Sequence, residues 1–207
     1  MSEKKVKVTV FSDYICPFCY IGYYRIEQLR KNYDLEVEWR PFEIHPETPK
    51  EGMDLNNLPY PKEYLDMMKA NIKKLADDVG ISLKLSEKLP NSRFALYLSE
   101  FARKNGKFDD FHKLVFDSYW KDGKDIGNQA LLLDLAKTIG LNKNEVLEYI
   151  TSKEPKSELT KSLKELRQYG INGVPTFIIG DKIVVGAQPY DVFKKVIENR
   201  VQNEAVI

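Results

Sequence analysis

Thiols and imidazoles are scarce in this chain: two cysteines and two histidines stand among 207 residues. Two cysteines exclude a framework of several disulfides. A zinc site would need both cysteines together with His45 and His112, which lie far apart and show no ligand spacing, so no metal is expected. There is no excess of either charge, since 32 Lys and Arg oppose 31 Asp and Glu for a net charge of +1. That balance gives no reason to expect nucleic acid or an anionic membrane as a partner. No apolar run is long enough to cross a bilayer, and no internal repeat or low-complexity tract is present. The start, Met1-Ser2-Glu3-Lys4-Lys5, leads into an alternating segment without the apolar core of a signal peptide. The expected location is therefore the reducing cytoplasm, where paired thiols serve chemistry more often than structure. With 43% hydrophobic and 30% charged residues, the composition is that of a soluble globular protein able to bury a core.

What the chain does have is a particular placement of its two thiols. Cys16-Pro17-Phe18-Cys19 follows the alternating run Val6-Lys7-Val8-Thr9-Val10-Phe11 and opens a helically spaced series, Cys19, Tyr23, Ile26, Leu29 and Tyr33. A Cys-x-x-Cys pair at a strand-to-helix junction is the signature of a dithiol–disulfide redox centre. The helix N-terminus offers unpaired N–H groups and the positive end of the macrodipole, both of which favour an anion such as a thiolate. Pro17 suits the first helical position, where the N–H it lacks would have no partner. Cys16 is thus predicted as the accessible attacking thiol, and Cys19, on the inward apolar stripe, as the sheltered resolving thiol. Their spacing puts both on one face, within reach of a disulfide. The alternative is an inert structural disulfide, but so short a loop gains little closure entropy.

Strand over 6–11, helix over 17–32 and strand over 35–42 make a βαβ unit. Residues 45–61 carry Pro46, Pro49, Gly52, Pro59 and Pro61 and are predicted to be irregular. A helical tract follows. Its stripes are Tyr64, Met68, Ile72, Leu75 and Val79; then Phe94, Leu98 and Phe101, with Ser92 as cap; then Phe108, Phe111, Val115 and Tyr119. Asn128 starts a helix with Leu131, Leu132, Leu135 and Ile139, and Asn142-x-x-Glu145 resembles a capping box for the next. Pro155 opens a helix with Leu159, Leu163 and Leu166. Strands over 176–179 and 183–185 flank Gly180-Asp181, a hairpin signal. Pro189 opens a last helix with Phe193, Val196, Ile197 and Val201, and the tail from Gln202 is expected to fray. Joining the ends gives a mixed sheet, parallel in its first half and antiparallel at the hairpin, with helices between.

Several segments carry a family resemblance. Phe11-Ser12-Asp13-Tyr14-Ile15-Cys16-Pro17-Phe18-Cys19-Tyr20-Ile21-Gly22, Trp39-Arg40-Pro41-Phe42-Glu43-Ile44, Gly170-Ile171-Asn172-Gly173-Val174-Pro175-Thr176-Phe177 and Val185-Gly186-Ala187-Gln188-Pro189 resemble the DsbA-like branch of the thioredoxin superfamily, most closely its FrnE-like subgroup. The resemblance implies an α/β fold, a thioredoxin-like mixed β-sheet with an inserted all-helical domain. Residues 1–44 and 155–207 would form the thioredoxin-like domain and 45–154 the insertion. It implies a protein-disulfide oxidoreductase whose partners are protein or peptide thiols and disulfides, with glutathione as a further thiol partner. No bound cofactor is implied beyond the Cys16–Cys19 couple itself. Pro175 joins the two cysteines as a catalytic residue, its bond to Val174 cis and packed beside the pair. A cis bond before proline costs only about 0.5–1 kcal/mol. Val174 would offer a backbone edge to substrate, and Tyr14, Phe18, Tyr20 and Phe42 an apolar surface around the thiols.

Departures from the family pattern bear on function. The dipeptide between the cysteines is Pro-Phe, whereas strongly oxidising DsbA-type enzymes carry Pro-His, so Phe18 brings no cationic donor to a thiolate and implies a less oxidising pair. Asp13 is expected to be a turn or cap residue. Glu43 is a candidate proton relay for Cys19, with a surface role as the alternative. The related kappa-class glutathione transferases and hydroxychromene-carboxylate isomerases typically carry serine at the position of Cys16, and retention of both thiols favours redox turnover. A non-catalytic peptide-binding holdase is a third possibility; it would keep its function with both cysteines replaced by serine.

Overall fold

Val6, Val8 and Val10 point to one side of β1 (Val6–Ser12) and Phe11 to the other, so a seven-residue strand is buried on both faces. The computed structural model describes residues 5–204, with the side chains of 5–200. β1 pairs in parallel with β2 (Leu35–Pro41), Val10 beside Trp39, and antiparallel with β5 (Thr176–Ile179), Val10 beside Phe177. β6 (Lys182–Val185) completes the order β2-β1-β5-β6. The two-residue turn between β5 and β6 needs Gly180 at φ +63, a left-handed conformation that glycine adopts without penalty.

Helices cover both faces of this sheet, as a sheet buried on both sides requires. On one face lie α1 (Pro17–Leu29) and α8 (Tyr190–Glu204), whose Ile26, Leu29, Phe193 and Ile197 pack with Val8, Val10, Trp39 and Phe177. The Phe177 and Phe193 rings meet edge to face at 4.8 Å, a favoured aromatic geometry. Phe11, Phe42 and Leu166 of α7 (Glu154–Gln168) form the core on the opposite face. Val201 and the tail expected to fray from Gln202 lie outside the described side chains.

Between β2 and α7 run α2 (Lys62–Asp78), α3 (Arg93–Lys104), α4 (Phe108–Phe116), α5 (Gln129–Thr138) and α6 (Lys143–Thr151). Asn128 and Asn142 cap α5 and α6 through their side-chain oxygens, each accepting two backbone N–H groups. Their core, with Leu98, Phe111, Val115, Phe116 and Leu132, is continuous with Tyr14, Cys16, Cys19 and Tyr20. The helical segment therefore packs directly against the cysteine motif. α7 contacts α3, α6 and β2, so it bridges the helices and the sheet.

Three expectations need correction. Residues 45–61 are not wholly irregular: β3 (Met53–Asp54) pairs with β4 (Lys88–Leu89), followed by a 3-10 turn over Leu55–Asn57. Ser92 does not cap α3 with its hydroxyl; Asn91 Oδ1 accepts the Arg93 N–H at 3.0 Å. The stripe running from Phe108 to Tyr119 is not one α-helix, because α4 gives way to a π-helical turn over Asp117–Lys121. The wider turn brings the Trp120 Nε1–H onto the Tyr14 carbonyl at 2.8 Å. π-Turns inside helices often sit at functional sites.

Candidate active site

Cys16 is the residue just before α1, at φ −87 and ψ 116, and Pro17 opens the helix. The Cys16 carbonyl accepts the N–H groups of Cys19 at 3.0 Å and Tyr20 at 3.3 Å, while the Cys16 N–H donates to the Asp13 carbonyl at 3.2 Å. The thiol is thereby fixed at the positive end of α1. Its Sγ donates to the Val174 carbonyl at 3.6 Å, across the sheet from the preceding turn. The Val174–Pro175 peptide bond is cis. Pro175 also approaches Gly22 of α1, where a β-carbon would lie 3.5 Å from Pro175 Cγ and 2.9 Å from Phe177 Cζ. Gly22 is what lets the helix lie so close to this proline.

The expectation of an accessible Cys16 is corrected in degree. Only 5% of the residue is exposed, and it opens onto a cavity of about 210 Å³ between α1, α2 and the π-turn. Cys16, Phe18, Val174, Ile72, Leu89 and Trp120 line that cavity. Phe18 and Val174 stand beside Cys16 in this wall. Tyr14, Tyr20 and Phe42 do not. Tyr14 is 2% exposed and hydrogen-bonds His112 Nδ1 at 2.9 Å in the interior. Tyr20 is buried with its hydroxyl on Asp117 at 2.9 Å. Phe42 packs behind the sheet on Phe11 and Leu166. Their aromatic rings stabilise the core more when buried than they would as a rim around the thiols.

Cys19 is fully buried. Burial pushes its thiol well above the ordinary range, and the neighbouring Cys16 adds to the shift; the Asp13 backbone and the Ser12 side chain act against it. One thiol faces a cavity and the other is sealed. Asp13 is a turn residue, as expected: its carboxylate accepts the N–H groups of Ile15 at 3.3 Å and Ile44 at 2.8 Å. Complete burial raises its pKa to about 6 despite those bonds. Glu43 is buried and paired with Arg93 of α3, Nε to Oε1 at 2.9 Å. Its carboxylate is engaged by the Arg93 guanidinium, the partner it takes in place of the expected role as proton relay for Cys19.

Some neighbours of the pair are not evident from sequence. His45 lines the same cavity as Cys16 and is held by Glu47 through a 2.8 Å contact at Nδ1. Lys69 of α2 is a second polar point in the largely apolar wall. Their only sequence signal is proximity to the Trp39–Ile44 segment for His45 and the helical stripe for Lys69. Among the described residues, no group of three or more His, Cys, Asp or Glu is placed to hold a metal ion. Among the same residues, no helix is long and apolar enough to cross a membrane.

A mixed four-stranded sheet, a Cys-x-x-Cys pair at the start of its first helix and a cis-proline leading into the antiparallel half define a thioredoxin-like fold with a helical insertion. The chain belongs to the DSBA-like thioredoxin domain family, which matches residues 7–198. It is 33% identical over 199 residues to the protein YwbO of Bacillus subtilis (strain 168), covering 94% of this chain and 96% of that one. It is also 24% identical over 191 residues to the 2-hydroxychromene-2-carboxylate isomerase of Sphingobium xenophagum, covering 89% and 94%. Among solved structures, a probable DsbA oxidoreductase from Streptomyces coelicolor superposes with a TM-score of 0.83 at 24% identity, over 96% of this chain and 91% of that one. The last likeness concerns fold.

Proposed function

We propose that the protein is a thiol–disulfide oxidoreductase of the FrnE-like kind, acting in the cytoplasm on protein or peptide disulfides, with glutathione as a small thiol partner. One observation carries this reading. Cys16 stands at a helix N-terminus against the Val174 carbonyl and opens to a cavity, while Cys19 behind it is sealed. In the reducing direction the Cys16 thiolate attacks a substrate disulfide and displaces one substrate thiolate, leaving a mixed disulfide. Cys19 then loses its proton and attacks the Cys16 sulfur. The Cys16–Cys19 bond forms, and the second substrate thiolate leaves with the electron pair. The couple is its own redox group and needs no bound cofactor. Val174 and Phe18 hold the substrate chain beside Cys16, and Pro175 shapes that edge.

Trapping tests this directly. Cys19→Ser should accumulate mixed disulfides through Cys16, because the intermediate loses its resolving thiol. Cys16→Ser should abolish both exchange and trapping. Normal exchange by Cys16→Ser would overturn the assignment.

A second reading is a glutathione-dependent isomerase or transferase. It is favoured by the concave, largely apolar cavity of about 210 Å³ with His45 and Lys69 as polar points, since concave apolar sites with few polar groups suit small molecules. Tight glutathione binding with turnover retained in Cys19→Ser would support it over redox exchange.

A further inference from the structure

His45 sits in a loop whose backbone is held on both sides. The Asp13 carboxylate accepts the Ile44 N–H at 2.8 Å through one oxygen and the Ile15 N–H at 3.3 Å through the other. One buried group therefore ties the residue before His45 to the residue before Cys16. Beyond His45, the Pro46 carbonyl accepts from Arg93 Nη2 at 3.0 Å, and the Thr48 carbonyl from Asn91 Nδ2 at 2.6 Å. Arg93 also grips Glu43, and the Thr48 N–H closes on the His45 carbonyl at 3.1 Å. A reacting side chain has to be held in place by its surroundings, and these bonds hold the loop at His45.

The ring is held as well. Glu47 contacts Nδ1 at 2.8 Å, and an ionised carboxylate can only accept there, so Nδ1 carries a proton. Nε2 is then the ring nitrogen left to a bound molecule: it donates when the ring is charged and accepts when the ring is neutral. His45 lines the cavity onto which Cys16 opens, and so do Ile44 and Ile15, the two residues that Asp13 ties together. The other polar side chains of that wall are Lys69, Ser86, Tyr60, Tyr64 and Tyr119. Of these side-chain types, imidazole is the one suited to exchanging protons near neutral pH. Glu47 is exposed and 16% of the His45 side chain is open, so the ring can exchange its proton with solvent.

We propose that His45 is a catalytic residue for disulfide exchange at Cys16: its Nε2 protonates the departing substrate sulfur, and Glu47 is the positioning residue that orients the ring. The inference rests on the redox reading above. In the reducing direction the Cys16 thiolate forms a bond to the near sulfur of the substrate. The substrate S–S bond breaks, the far sulfur keeps its electron pair, and the Nε2 proton passes to that sulfur, so a neutral thiol leaves. The ring then takes a proton from solvent. The reverse step uses the neutral ring, which removes the proton of a substrate thiol as its sulfur attacks the mixed disulfide and frees Cys16. Basic thiols gain most, because a thiolate of high pKa is a slow leaving group.

Leaving-group dependence reads this role directly. In the Cys19→Ser background, dimethyl disulfide and methyl para-nitrophenyl disulfide each place a methylthio group on Cys16. The first must release methanethiolate or methanethiol, whereas the second releases an aryl thiolate that departs without a proton. Uptake is followed by mass spectrometry in a single turnover. His45→Gln should slow uptake from dimethyl disulfide, relative to the aryl compound, by about a hundredfold. Glu47→Ala, at an exposed position, should move the same ratio in the same direction by a smaller factor. A ratio within about twofold of that with His45 intact, or equal slowing with both compounds, would overturn the inference. Equal slowing is what a merely structural histidine gives. If Cys16 takes up neither compound while His45 is intact, the redox reading itself fails.

Discussion

Asp13 is a carboxylate that folding makes harder to ionise. Its pKa moves from 3.8 to about 6 because burial outweighs two backbone hydrogen bonds. The folded value lies above the unfolded one, so the folded state holds this proton more tightly. The resulting stabilisation is complete below about pH 3.8 and is lost as pH rises through about 6. The span corresponds to about 3 kcal/mol. Unfolding free energies of wild type and Asp13→Asn, measured from about pH 4 to about pH 7, should therefore diverge in favour of wild type on the acidic side by about that amount. A constant difference would show that the carboxylate ionises normally. Gly22 belongs to the same scale. A methyl there would meet Phe177 at 2.9 Å, and that ring is fully buried against Phe193. Overpacking of about 1–3 kcal/mol exceeds the helix-propensity gain of about 1 kcal/mol, so Gly22→Ala should lose about 1–2 kcal/mol in denaturant titrations.

At the scale of elements, a buried arginine couples the two helices that flank the cavity at Cys16. Arg25 of α1 is 1% exposed. Its guanidinium binds Asp78 at the end of α2, Gln28 Oε1 at 2.7 Å and the Gln188 carbonyl at 3.2 Å. Arg25→Ala removes a packed stem and three polar contacts, and should cost about 2–4 kcal/mol. Hydrogen exchange should quicken first along α2; uniform protection with unchanged stability would contradict this coupling. Nothing in the sequence marks Arg25, since an arginine on an amphipathic helix reads as solvated and only tertiary structure supplies its partners. The βαβ unit, the hairpin and the Asn128 and Asn142 caps were legible because period and capping chemistry are local. The β3–β4 pair was not, because two-residue strands carry no period. The π-turn escaped for a similar reason: one extra residue in a turn leaves an apolar stripe almost unaltered.

For the whole molecule, the cysteine pair and Val174-Pro175 could be named together although a full helical segment separates them in the chain, because the family resemblance sets that proline beside the pair. The aromatic residues around the motif could not be sorted that way. Tyr14, Phe18, Tyr20 and Phe42 look alike in sequence, and only burial distinguishes the cavity wall from the core. Phe18 then sets an expectation for the complete redox couple. With an uncharged ring between the cysteines, the pair should equilibrate in glutathione buffers at a potential more negative than about −120 mV, the value of DsbA, on the side of thioredoxin's roughly −270 mV. A potential at or above DsbA's would identify a cation elsewhere in the cavity, with His45 the first to replace, and would restore the oxidase direction.

The pairing of β1 with β5 sets Val8 beside Ile179, and this has a consequence for how the protein is made. At ordinary translation speeds, β5 leaves the ribosome roughly 10–30 s after α1. Early in that interval Cys16 and Cys19 exist without the later helices around them, and throughout it they lack Val174 in front of them. The nascent chain thus carries an unsheltered dithiol that any passing disulfide can engage. The Val174 edge beside Cys16 arrives only with the last quarter of the polypeptide, so the ribosome-bound stage is when the thiol pair is least covered.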